Sequence, residues 1–226
     1  MSINLRKNKI IVALDVADFN QAKNLIDLLE DDVDFFKVGL ELFVSGDYFK
    51  IIEYLAKKNK RVFADLKFFD ISNTVASAIK NLQNYPIEFL TIHAASIDIM
   101  KRAVEVKNDI KLLAVTVLTN LDKRDLADMG CIDNVEELVL KRAKLAQDCG
   151  VDGIICSALE ALMVRKEIGD DFLIVTPGIR LTENGDDQKR VVTPETAIKN
   201  GANYLVVGRP ITRAENPQEE VKKFLI

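Results

Sequence analysis

The chain of 226 residues has no tryptophan, one histidine, three cysteines and five prolines. A single histidine, His93, gives a His-based metal centre or a Ser-His-Asp triad little to work with, and no metal site is expected. Cys131, Cys149 and Cys156 have neither metal-ligand nor redox spacing, and an odd thiol count in a chain this long suits a reducing compartment. Cys149 and Cys156 read as buried bystanders, near a helix end and in a strand. No apolar run approaches the roughly 20 residues of a membrane span. The polar N-terminus and the short apolar run after it, broken by Asp15, do not read as a signal peptide. A cytoplasmic protein without a membrane partner is therefore expected. The net charge of -4 argues against a nucleic-acid binder, while leaving room for a local cationic pocket. No linker or low-complexity stretch divides the chain, so a single catalytic domain over 1–226 is expected.

What is present is a rhythm. Short apolar runs recur at Lys9–Val16, Phe35–Leu40, Arg61–Lys67, Phe89–His93, Lys111–Leu118, Gly153–Cys156, Phe172–Thr176 and Tyr204–Val207. They are continuous rather than alternating, as in parallel strands covered on both faces. Helical patterns lie between them. Asn20 to Leu29 and Tyr48 to Lys57 are amphipathic. Asp133 with Glu136 predicts a capped helix start, running to about Gln147 and stopped by Gly150. Thr193-Pro194 opens a helix that Gly201 ends, and Asn216-Pro217 opens the last one, Glu219–Phe224. About eight such units give an α/β fold, the (β/α)8 TIM barrel. The doubly wound alternative would carry a glycine-rich first turn, whereas Asp15-Val16-Ala17-Asp18 has no glycine.

Polar residues fall at corresponding places in these units. Asp15 ends the first strand, Lys37 lies in the second, Asp65 and Lys67 end the third, and Asp70 follows. His93 ends the fourth and Thr119 follows the fifth. Pro177, Gly178 and Arg180 follow the seventh, and Gly208 and Arg209 the eighth. In a barrel these ends meet at the face where active sites form. Alternation points Asp65 and Lys67 the same way. Alone, that pair reads as a structural ion pair or as chemistry; the other strand ends favour chemistry. Lys37 points either to the mouth or to the helix layer, and the mouth is favoured. His93 receives no role. Thr176-Pro177-Gly178-Ile179-Arg180 and Val207-Gly208-Arg209 supply amides and two guanidinium forks suited to phosphate. The polar stretch 181–189 between them reads equally as a closing loop or a long surface loop.

With these residues in view, the chain resembles the bacterial type of the orotidine 5′-phosphate decarboxylase family. Ile11-Val12-Ala13-Leu14-Asp15, Phe36-Lys37-Val38-Gly39 and Ala114-Val115-Thr116-Val117-Leu118-Thr119 match its strands. Asp65-Leu66-Lys67-Phe68-Phe69-Asp70-Ile71-Ser72-Asn73-Thr74 matches its signature Asp-x-Lys-x-x-Asp-Ile-x-Asn-Thr. Thr176 to Arg180, Asp187-Gln188-Lys189-Arg190 and Val207-Gly208-Arg209 complete the match. Ser72 stands where proline is usual, Ala94-Ala95 where glycines are frequent, and the loop from Arg180 to Gln188 is slightly short. The resemblance implies decarboxylation of orotidine 5′-monophosphate (OMP) to uridine 5′-monophosphate (UMP), the last step of UMP biosynthesis, with no metal or cofactor. It implies that Lys67 protonates C6 and that Asp65 sits against the departing carboxylate. Lys37, Asp65, Lys67 and Asp70 would form an alternating charge network. Asp70, Ile71 and Thr74 would reach into the partner's site of a homodimer. Asp15 and Lys37 would contact the ribose, Thr119 the pyrimidine, and Gln188 both base and phosphate. Gly208, Arg209 and Arg180 would hold the phosphate, with Pro177 near the ring. Two other readings remain. One is a metal-dependent sugar-phosphate decarboxylase of the same suprafamily, against which Thr119 and Gln188 weigh. The other is a silent nucleotide-binding barrel, against which the two lysines weigh.

Overall fold

The structure is a computed structural model that describes residues 9–181 and 192–225. Eight strands close into a parallel barrel in sequence order: β1 (Ile10–Ala13), β2 (Phe35–Gly39), β3 (Arg61–Phe68), β4 (Phe89–His93), β5 (Lys111–Val115), β6 (Gly153–Ile155), β7 (Leu173–Thr176) and β8 (Tyr204–Val207). β8 pairs back onto β1 through Leu205 opposite Ile10 and Val207 opposite Val12. Between the strands run α1 (Phe19–Leu29), α2 (Leu40–Val44), α3 (Tyr48–Lys57), α4 (Ser72–Leu82), α5 (Ile97–Val106), α6 (Lys123–Asp128), α7 (Val135–Asp148), α8 (Ala158–Ile168) and α9 (Pro194–Lys199). After β8 come α10 (Arg209–Thr212) and α11 (Pro217–Phe224). The expected (β/α)8 barrel is the observed architecture. Among the described residues, no helix is long and apolar enough to cross a membrane.

Two cores explain why the strands are apolar along their whole length. Ile11, Phe35, Phe63, Phe89, Leu113, Val175 and Val206 fill the barrel interior, while alternate residues such as Val12, Phe36, Ala64, Leu90 and Ile174 pack outward under the helices. The lower end is plugged by Arg61, at the start of β3. Its guanidinium meets Glu88 in two hydrogen bonds, of 2.6 and 2.7 Å, and lies 4.0 Å from the Phe35 ring centroid. Among the described residues, interior packing and this plug close the lower end and leave the upper end of the barrel open.

Several boundaries differ from expectation. β1 stops at Ala13 and β5 at Val115, so Asp15 stands on the loop beyond its strand, and Thr119, expected after the fifth strand, lies further from its end. The cap of α7 is Asn134, not Asp133. Asn134 accepts the Glu137 amide at 2.9 Å and Glu137 accepts the Asn134 amide at 3.2 Å, while Asp133 pairs with Lys141. α11 begins two residues early, at Pro217, where the fixed φ of proline suits the first turn.

The largest departure is in β3. Ala64 pairs with Leu90, but the next paired residue, Phe68, lies opposite Ile92, so four residues of β3 advance against two of β4. Lys67 lies inside this irregularity with φ of +48°, a left-handed conformation that costs a residue with a Cβ about 1–2 kcal/mol. The two extra residues preserve parity, so Asp65 and Lys67 still share a face.

Candidate active site

A cavity of about 430 Å³ opens at the upper end of the barrel. Asp15, Lys37, Asp65, Lys67, Thr119, Pro177, Arg180, Gly208 and Arg209 all line it. Lys37 therefore points to the mouth, as favoured. The ends of every strand except β4 contribute, because parallel strands deliver their C-terminal ends to one rim.

Along the β1 to β3 side of the cavity runs an alternating chain of charges. Lys37 Nζ lies 2.8 Å from Asp15 Oδ1 and 3.2 Å from Asp65 Oδ2, and Lys67 Nζ lies 2.8 Å from Asp65 Oδ1. The order is Asp15, Lys37, Asp65, Lys67. Burial alone would pull the Lys37 pKa down, but the Asp65 and Asp15 carboxylates outweigh it and hold the ammonium above the usual lysine range. Burial likewise pushes the Asp65 carboxyl up, and Lys37, Lys67 and a hydrogen bond from Thr91 more than reverse this, bringing it down to about 2. Gly39 makes room for the pairing, because a Cβ there would meet Lys37 Nζ at 3.2 Å and Asp15 Oδ1 at 3.4 Å.

The lowered Asp65 value has a consequence for stability. An unfolded aspartate titrates near 4, so the stabilisation is complete above that pH and is lost as pH falls through about 2. The difference is worth about 2 kcal/mol. Urea unfolding between about pH 5 and pH 2 should show wild-type stability falling more steeply than that of Asp65→Asn, which has no carboxyl to titrate there. Parallel slopes in the two proteins would contradict the assignment.

Next to Asp15 around the rim, the β8 end and then the β7 end bring Arg209 and Arg180 to the cavity. Gly178, at φ of +78°, turns the chain after Pro177 in a conformation that a Cβ would strain. The segment then returns on itself: the Arg180 amide donates to Val192 O at 3.1 Å and the Val192 amide to Gly178 O at 3.3 Å. Both sides of the stretch 182–191 are thereby joined at the cavity rim. Gln188, with Asp187, Lys189 and Arg190, lies outside the described residues.

Asp70, Ile71 and Thr74 are not in this cavity. All three are exposed, and Asp70 accepts the Ile71 amide at 2.7 Å. Asp70 is thus not part of the charge network within its own chain, where Asp15 is the fourth member instead. Asp70 and Thr74 line a second cavity, of about 320 Å³, and Lys67 lines both. His93 is half-buried at the end of β4, its ring 5.6 Å from that of Phe69 in an edge-to-face contact.

Sequence reasoning missed Glu41, Asn120 and Arg213, which also line the main cavity, and the buried Thr91 beneath it. Arg213 lies four residues after Arg209, a helical spacing that could have flagged it. Thr91 was visible as a hydroxyl between the outward Leu90 and Ile92. Among the described residues, no three His, Cys, Asp or Glu side chains converge as a metal site.

A closed parallel barrel with a lysine–carboxylate array and two arginine-bearing turns lining one cavity at its mouth defines a TIM-barrel protein with a charged pocket of small-ligand size. The comparisons with known proteins narrow this class. Residues 8–224 match the Orotidine 5'-phosphate decarboxylase / HUMPS family, and the chain belongs to it. It is 48% identical to an orotidine 5'-phosphate decarboxylase of Methylococcus capsulatus, over 96% of this chain and 90% of the relative. It is 46% identical to one of Xanthomonas euvesicatoria, over 96% of this chain and 93% of the relative. The crystal structure of orotidine 5'-phosphate decarboxylase from Lactobacillus acidophilus superposes with a TM-score of 0.84, at 37% identity, covering 96% of each chain.

Proposed function

We infer that this chain is a carboxy-lyase that converts OMP to UMP without metal or cofactor, with Lys67 delivering the proton to C6. The observation that carries the reading is the placement of the Asp15–Lys37–Asp65–Lys67 array in one cavity with Arg180, Gly208 and Arg209. Loss of carbon dioxide from C6 leaves a carbanion with no adjacent carbonyl to delocalise it. A cation near that carbon answers the need directly: a unit pair at about 4 Å is worth on the order of 4 kcal/mol at an effective dielectric near 20. Asp65 keeps Lys67 oriented and meets the departing carboxylate. Asp15 and Lys37 bind the ribose hydroxyls, Thr119 the pyrimidine, and Pro177 lies near the ring. The Gly208 amide, Arg209 and Arg180 hold the phosphate, and Gln188 joins base to phosphate. The grip on the phosphate, remote from C6, supplies binding energy that aligns the charges.

Metal independence is supported by the pairing itself. Asp65 is engaged by two ammonium groups and Asp15 by one, so these two carboxylates are already paired with lysine. A homodimer is supported by Phe69 and Ile71, 62% and 72% exposed, with Ile97 at the start of the neighbouring α5. In such a dimer, Asp70, Ile71 and Thr74 enter the partner's site.

The discriminating experiment is an activity assay after exhaustive chelation, with OMP and a keto-gulonate phosphate as alternative substrates. Turnover of OMP alone, undiminished by chelation, is expected. Activity lost on chelation and restored by magnesium would instead favour the metal-dependent sugar-phosphate chemistry.

A further inference from the structure

We propose that Thr91 is a positioning residue for this reaction, setting both the backbone of Lys67 and the carboxylate of Asp65. The proposal rests on the decarboxylase reading above. Thr91 is fully buried in β4 and does not line the cavity, so it acts only through other residues. Its Oγ1 accepts the Lys67 amide at 2.8 Å and donates to Asp65 Oδ1 at 3.0 Å. Lys67 Nζ meets the same Oδ1 at 2.8 Å. A hydroxyl has a single proton, and here the amide occupies a lone pair, so the proton must go to the carboxylate. One side chain thus fixes the start and the end of the Lys67 lever at once.

The register of β3 gives this contact its importance. Between Ala64 and Phe68 the ladder to β4 is interrupted, and Lys67 adopts φ of +48° there. The Lys67 amide is satisfied by the Thr91 hydroxyl, which stands in for a backbone acceptor. Successive β4 residues then support the end of β3 and the residue after it: Ile92 pairs with Phe68, and the His93 ring packs on Phe69. β4 therefore acts as a splint for the segment that carries the charges. A displacement of the ammonium by about 1 Å is enough to cost on the order of a hundredfold in rate.

The test compares wild type, Thr91→Val and Thr91→Ser by kcat and KM for OMP, at a temperature well below each Tm. Valine keeps the volume but removes both hydrogen bonds; serine keeps the hydroxyl. Thr91→Val should lose about ten- to a hundredfold in kcat with KM changed less than about threefold, and Thr91→Ser should recover most of the loss. A purely structural role would lower Tm and leave kcat per folded molecule unchanged. If Thr91→Val does not fold, Thr91→Cys, of similar volume and with only weak hydrogen-bonding capacity, is held to the same expectation. Either variant with kcat within about twofold of wild type, or serine no better than valine, would overturn the proposal. A wild-type protein inactive on OMP would overturn the decarboxylase reading beneath it, a distinct failure.

Discussion

Lys67→Ala should abolish turnover of OMP, lowering kcat at least about ten-thousandfold while the barrel stays folded. Two losses combine in that figure. A general acid contributes about 10²–10⁴, and a fixed charge aimed at developing charge contributes about 10²–10³. The fold should survive, because Lys67 sits on the rim of the cavity, partly exposed, and both cores lie below or outside it. Removing the ammonium takes one partner from Asp65, but Lys37 still faces that carboxylate at 3.2 Å and Thr91 still donates to it. Circular dichroism and thermal unfolding should therefore remain close to wild type. Near-normal turnover by a folded Lys67→Ala protein would sink the assignment of Lys67 as proton donor.

Mixing Lys67→Ala and Asp70→Ala proteins should restore activity from two inactive parents. In a two-fold dimer with shared sites, each hybrid has one site with both lesions and one with neither. Random exchange makes about half of the dimers hybrid, so about a quarter of wild-type activity is expected at equal mixing. The structure gives the physical basis: Asp70 is exposed and takes no part in its own chain's charge array, yet lies with Lys67 along the second cavity. If subunit exchange is demonstrated and no activity returns, Asp70 does not act across an interface.

Much of the fold could be read from residue patterns, for identifiable reasons. β4 and β8 fall at the expected bounds because Phe89–His93 and Tyr204–Val207 are apolar runs that end sharply in polar or glycine residues. Lys37 could be narrowed to the mouth or the helix layer, with the mouth favoured, because a closed barrel has no edge from which it could reach solvent. The failures are equally specific. Asp133 and Asn134 are both good caps, and only the contacts of Glu137 and Lys141 choose between them. The irregularity in β3 is set by its pairing with β4, and nothing local to Asp65–Asp70 announces it. Thr91 escaped notice for the same reason, since its hydroxyl matters only because β3 slips past it. Asp70 was legible as a member of the charge pattern but not as the residue that stands apart from it, since that depends on how the chain leaves β3 and enters α4.

Lysine protonation without metal is tested most directly by an ultraviolet progress curve of the chelated wild-type protein with OMP, beside Lys67→Ala under the same conditions. Wild type should show the spectral change from OMP to UMP, with equimolar carbon dioxide, and the variant none. No conversion by well-folded wild type, or equal conversion by both proteins, would contradict it.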